Sequence, residues 1–176
     1  VVVDFAMEFY VDDSVRFEGY SLFEVSGGCY KNSMLMSDDA IENYLKQWVT
    51  IDELRLCRDN ITAYMSQLLG NDYKGCFGVD MYVYADIDGY KLNPMVEINM
   101  RMTMGYVANA VRRKLLATDM QKMYVQYDST AGNILLHHKE MLKKYPLMST
   151  SEGKILSGYM SLTPPTEQSN YNIYVL

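Results

Sequence analysis

Two runs rich in Val, Phe and Tyr open the chain, residues 1–11 and 15–25. Asp12-Asp13-Ser14 stands between them, and the pattern predicts a β-hairpin. Gly27-Gly28 breaks it. Beyond Ser37-Asp38-Asp39, which has the composition of a helix cap, the apolar positions Ile41, Tyr44, Leu45 and Trp48 recur at helical spacing. A second helix is expected from about Asp52 to Leu69, with Leu54, Leu56, Ile61, Tyr64, Met65 and Leu68 as its buried side and Gly70-Asn71 as its stop. The clearest unit follows: the apolar-rich runs Phe77 to Tyr84 and Leu92 to Ile98 flank the turn Asp86-Ile87-Asp88-Gly89, predicting a second hairpin over 76–86 and 89–99. Gly105 to Leu116 reads as a helix, Met123 to Tyr127 as a short strand, and Ile134 to Tyr145 as a helix ended by Pro146. Strand-like runs at Lys154 to Leu162 and Tyr171 to Leu176 flank Pro164-Pro165. Strands paired with their sequence neighbours, with helices between the pairs, imply an α+β fold built on a mostly antiparallel sheet flanked by helices. No repeat and no long linker interrupts the pattern, so residues 1–176 are expected to form a single domain.

Charge narrows the range of partners. Sixteen Lys and Arg stand against 22 Asp and Glu, a formal charge of −6, which disfavours non-specific binding to nucleic acid or to an anionic membrane. The tight basic run Arg112-Arg113-Lys114 falls late in a predicted helix, where cations suit the helix dipole. Cys29, Cys57 and Cys76 have neither disulfide-framework nor metal-pair spacing, which suits a reducing cytoplasm and small buried hydrophobes. No stretch approaches the roughly 18–20 apolar residues of a membrane span, and no leader pattern opens the chain. It begins without Met, directly inside a strand-like run, as the C-terminal fragment of a longer polypeptide would.

Candidate chemistry concentrates on the second hairpin. Asp80 lies on its first strand, and Glu97 and Asn99 on its return strand. Alternation puts Glu97 and Asn99 on one face, and a hairpin of this length can bring Asp80 beside them. Two carboxylates and an amide make a hard oxygen site suited to Mg2+ or Mn2+, with phosphate oxygens and water completing the coordination. Arg101, two residues further on the same face, suits the phosphate charge that a metal leaves unneutralised. The same residues also read as the polar side of a half-exposed strand.

The surrounding residues, Gly78-Val79-Asp80-Met81 and Met95-Val96-Glu97-Ile98-Asn99-Met100-Arg101-Met102-Thr103-Met104-Gly105, resemble the C-terminal half of an ATP-grasp domain, the fold of ATP-dependent carboxylate–amine ligases. The resemblance implies that Asp80, Glu97 and Asn99 hold the magnesium of Mg·ATP and that Arg101 contacts phosphate or the reacting carboxylate. It extends more loosely over residues 1 to about 130. It implies the Mg-ATP-binding subdomain of a carboxylate–amine or carboxylate–thiol ligase acting through an acylphosphate on a small-molecule carboxylate. The adenine hinge and the phosphate-contacting lysines of the earlier ATP-grasp subdomains are not visible in this sequence, so the isolated chain is expected to be inactive. A non-catalytic module that keeps the shape for nucleotide sensing or protein contacts is the alternative.

Other positions keep two readings. Glu8 resembles an acidic position common on the opening strand of the family and would belong to the nucleotide site; alone, it is also what a solvated edge strand carries. Gly27-Gly28, followed by Tyr30-Lys31-Asn32, reads either as a phosphate-covering loop with Lys31 at the nucleotide or as a plain turn. Met100, Met102 and Met104 alternate with Arg101 and Thr103 as a strand with one buried face does, or as a Met-rich groove does. His137 and His138 are adjacent on a helix, about 100° apart, and cannot share a metal as an i, i+4 pair would.

Overall fold

The computed structural model describes residues 1–69, 72–119 and 121–176. Its strands are β1 (Val3–Val11), β2 (Val15–Ser26), β3 (Cys29–Leu35), β4 (Gly75–Asp86), β5 (Gly89–Asn99), β6 (Gln121–Tyr127), β7 (Met148–Ser149), β8 (Ile155–Ser157), β9 (Met160–Ser161) and β10 (Tyr171–Val175). The helices are α1 (Asp38–Leu45), α2 (Ile51–Leu69), α3 (Met104–Leu115) and α4 (Asn133–Lys144). The fold is α+β with antiparallel pairing, as the hydrophobic pattern predicts. The chain divides into two compact units, one of Val1–Leu22 with Ser37–Asn109 and one of Phe23–Met36 with Ala110–Leu176.

In the first unit the strand order is β5-β4-β1-β2, so the opening strand is central. Register follows from alternation. Phe5, Met7 and Phe9 of β1 pair with Met81, Val79 and Phe77 of β4 and share a face that excludes water almost completely. Phe9 and Phe77 stack with centroids 4.8 Å apart. Helices α1 and α2 cover this face. Tyr20, the β2 partner of Met7, donates through its hydroxyl to Glu42 of α1 at 3.2 Å, and Arg58 of α2 sits over Phe17, the partner of Phe9. Ser37 caps α1, accepting from the Ala40 amide at 3.4 Å.

Four expectations are corrected. In α2 the buried stripe is Leu54, Ile61 and Met65, while Leu56, Tyr64 and Leu68 are exposed; Leu56, two residues from Leu54, turns to the far side of the helix. Its expected stop, Gly70-Asn71, lies outside the described residues. Among the cysteines only Cys76 is buried; Cys57 is half-buried and Cys29 exposed. Residues 100–103 are not a strand: Met100 and Met102 are exposed, and Met104 begins α3. The run from Lys154 to Leu162 splits into β8 and β9 at Gly158, whose φ of 96° belongs to the left-handed region.

The second unit pairs β3 with β6, β6 with β10 and β10 with β9, all antiparallel. The hydrophobic pattern does not predict strand β3, because its residues Cys29 to Leu35 mix polar and apolar types without clean alternation. Gly27 and Gly28, with φ of 60° and 74°, form the two-residue turn between β2 and β3. That conformation requires positive φ at both central positions, which glycine adopts without strain. A polar chain runs through this unit's core. Ser161 donates to Asn172 Oδ1 at 2.7 Å, and Asn172 Nδ2 donates to the Tyr159 hydroxyl at 2.8 Å. The same hydroxyl meets His138 Nδ1 at 2.8 Å, in a hydrogen bond whose direction is set by the imidazole tautomer. Burial first, and the neighbouring His137 second, hold the His138 pKa below its ordinary value. Both rings pack against tyrosines, His137 against Tyr174 and His138 against Tyr159.

Replacing Tyr159 by Phe should cost about 1–3 kcal/mol, because it orphans the amide of the fully buried Asn172. Urea unfolding of both proteins measures it; an unchanged midpoint would show that the polar chain contributes nothing.

Candidate functional site

The face of the first unit opposite its core is built from alternating small and polar residues. One row across it reads Gly19, Glu8, Gly78 and Asn99, on β2, β1, β4 and β5. The next reads Ser21, Ala6, Asp80 and Glu97. The pairing therefore sets Asp80 directly opposite Glu97, with Asn99 one position further along the same face. Register slips between Asp80 and Tyr82, where β5 accommodates Pro94 to Val96 as a bulge. Proline has no N–H for the ladder, so a bulge is where it fits. The slip spans an even number of residues on each strand and preserves the face.

The side chains connect. Asn99 Nδ2 donates to Asp80 Oδ2 at 3.2 Å, and Arg101 donates to Asn99 Oδ1 at 3.0 Å. Asp80 and Asn99 are half-buried, whereas Glu97 and Arg101 are exposed. Burial, and then the Glu97 carboxylate, raise the pKa of Asp80, against the hydrogen bond from Asn99 and the charge of Arg101. Asp4 adds a carboxyl to this neighbourhood, and burial raises its pKa also. Asp4 could have been found in the sequence, since it shares the alternation phase of Glu8 on β1.

Glu8 is not a solvated edge residue. It lies on a central strand, 1% exposed, and its carboxyl accepts from Ser21 Oγ at 2.9 Å and from Thr103 Oγ1 at 2.6 Å. Two glycines make the space for it: a Cβ on Gly78 would stand 2.7 Å from Glu8 Oε2, and one on Gly105 would overlap Glu8 and Ser21. Desolvation raises the Glu8 pKa to about 7, opposed by the two hydroxyl donors and assisted by the charge of Asp80. Lys31 is exposed on β3 in the second unit. Asp80, Glu97, Asn99 and Arg101 are thus brought together, and Glu8 lies beneath the same face of the first unit.

The donor set suits a hard divalent cation: two carboxylates and an amide on neighbouring strand positions, leaving the remaining coordination to phosphate oxygens and water. Among the described residues no group of three or more His, Cys, Asp and Glu is placed to hold a metal by itself. Charge is unevenly divided. The first unit carries seven Lys and Arg against sixteen Asp and Glu, and the second nine against six, so the overall −6 conceals a basic second unit. No helix among the described residues is long and apolar enough to cross a membrane.

No family model matches the chain, and no curated protein matches it in sequence. Solved structures do match its fold. A carboxyaminoimidazole ribonucleotide synthase from Aspergillus clavatus, complexed with ATP, aligns with a TM-score of 0.52 at 13% identity, covering 99% of this chain and 45% of that one. An N5-carboxyaminoimidazole synthase from the same organism, in complex with ADP and 5-aminoimidazole ribonucleotide, gives 0.51 at 12% identity over 99% and 46%. The N5-carboxyaminoimidazole ribonucleotide synthetase of Thermus thermophilus gives 0.51 at 10% over 99% and 45%. The fold is ATP-grasp-like, and this chain spans under half the length of those solved chains. The likeness continues past residue 130, where the resemblance in sequence stops.

The buried carboxyl makes a pH prediction. A carboxyl raised from 4.5 to about 7 in the folded state keeps its proton there while the unfolded chain loses it, so its contribution is full below 4.5 and is lost as pH rises through about 7. Glu8→Gln cannot titrate. Its stability relative to the wild type should improve by about 3 kcal/mol between pH 4 and pH 8, measured by denaturant unfolding across that range. A difference that does not change with pH would show that Glu8 titrates in the folded protein as it does in the unfolded chain, unshifted by burial.

Proposed function

We propose that this chain is the metal- and phosphate-binding part of an ATP-dependent carboxylate–amine or carboxylate–thiol ligase. The observation that carries the proposal is the cross-strand pair Asp80–Glu97 with Asn99 bonded to Asp80 on an ATP-grasp-like sheet. Asp80, Glu97 and Asn99 would hold Mg2+ or Mn2+, which when bound offsets the charge of the β and γ phosphates during transfer. Arg101 is exposed, with its guanidinium on the rim of this face, and so can present N–H donors to phosphate oxygens. A substrate carboxylate oxygen attacks the terminal phosphorus, the bond to the bridging oxygen breaks, and ADP leaves with that electron pair. An amine or thiol then attacks the acyl carbon of the acylphosphate and phosphate departs. Arg101 stabilises the equatorial oxygens in the first step and the tetrahedral oxyanion in the second. Glu8 supports the face from beneath.

A specific feature favours the second reading, a non-catalytic interaction module. Leu56, Tyr64, Tyr90 and Met95 are exposed around a cavity of about 610 Å3 between α2 and the β4–β5 hairpin, the kind of apolar surface that protein contacts use.

Calorimetric titration of Mn2+·ADP into the wild type and into Glu97→Gln separates the two. Glu97 is exposed, so the variant should fold normally by circular dichroism. Its affinity should fall at least tenfold, the loss of a charged ligand from the metal. Equal affinities for the folded proteins would remove Glu97 from the site, and no nucleotide binding by the wild type or by a ligase-length parent would favour the interaction module.

A further inference from the structure

The stretch between β5 and α3 carries Arg101 but belongs to neither element. Residues 100–103 are in no strand or helix, yet both ends are held. At the first end the Arg101 amide donates to the Asn99 carbonyl at 2.8 Å, and Asn99 is fixed by its ladder position opposite Gly78 and by its bond to Asp80. At the other end Thr103 caps α3. Its Oγ1 accepts from the Tyr106 amide at 3.0 Å, and its carbonyl accepts from the Val107 amide at 3.2 Å. The same hydroxyl donates its proton to Glu8 Oε2 at 2.6 Å, joining residues 95 positions apart in sequence.

We infer that Glu8 and Thr103 form an internal strut that sets where Arg101 stands, making both positioning residues for the phosphate face. Three observations carry this. Glu8 is 1% exposed and so offers no surface to a ligand, while both its oxygens are engaged by hydroxyls of its own unit. The space around it is made by residues without side chains, Gly78 and Gly105, one on the strand that carries Asp80 and the other in the first turn of α3. The span from Asn99 to Thr103 is too short to leave Arg101 free once both ends are pinned. Its guanidinium accordingly rests on Asn99 Oδ1 and on the Met102 carbonyl, at 3.0 and 3.4 Å. An acid on the opening strand thereby acts at the phosphate face through a threonine near the other end of the unit. The effect on nucleotide binding rests on the ligase reading of Arg101; the strut itself does not.

The test compares Thr103→Ser, which keeps the hydroxyl, with Thr103→Val, which keeps the shape without it. Nitrogen-15 relaxation of the Arg101 backbone amide and its Nε–H should be like wild type in the serine variant and show markedly greater mobility in the valine variant. Mn2+·ADP titration should then show about a tenfold loss for Thr103→Val in the wild type and none when Arg101 is already replaced by Ala, the signature of two residues acting through one contact. Unchanged Arg101 relaxation in a folded Thr103→Val protein would overturn the strut, as would losses that simply multiply. If Thr103→Val does not fold, Glu8→Asp, which draws the carboxyl back by one methylene, provides the same comparison. If the wild type binds no Mn2+·ADP, the ligase reading fails alone, and relaxation still decides whether the strut exists.

Discussion

A carboxyl group enclosed by its own sheet organises the first unit. Burying Glu8 between Gly78 and Gly105 is tolerable because Ser21 and Thr103 each supply a hydroxyl donor, opposing the desolvation that raises its pKa to about 7. That requirement reaches outward. It forces glycine at two positions, fixes the entry angle of α3 through its cap, and ties the stretch carrying Arg101 to the central strand. The same sheet presents its opposite face to α1 and α2 as an aromatic and aliphatic layer from which water is almost completely excluded. One face can be given over to polar chemistry because the other supplies the hydrophobic stabilisation.

The acidic face follows from the pairing register. Asp80 and Glu97 are opposed across β4 and β5, a like-charge pair that is unfavourable by itself and that raises the Asp80 pKa further. Asp4 adds to the same field. Arg101 offsets part of it from the rim. An arrangement with more carboxyls than cations is stabilised by a bound cation, which is the physical basis for reading it as a metal site on a fold shared with nucleotide-binding synthetases.

Much of this was legible along the chain. The two hairpins, the four helices and the α+β class follow from alternation, helical spacing and turn residues, and the face shared by Glu97 and Asn99 follows from their separation by one residue. Less legible were elements whose local pattern is weak. β3 lacks alternation, and residues 100–103 mimic it without pairing to anything. The exposed Leu56, Tyr64 and Leu68 show that apolar residues on a helix report its face only when the stripe is narrow.

Sequence by itself determined the periodic elements and the candidate ligands, because these depend on side-chain order over a few residues. Only the tertiary structure decided that β1 is central rather than an edge, that Glu8 is therefore buried, and that Thr103 rather than solvent satisfies it. Those outcomes depend on contacts as distant in sequence as the 95 positions between Glu8 and Thr103, and strand order is chosen by the burial of the whole sheet, a quantity no local window contains.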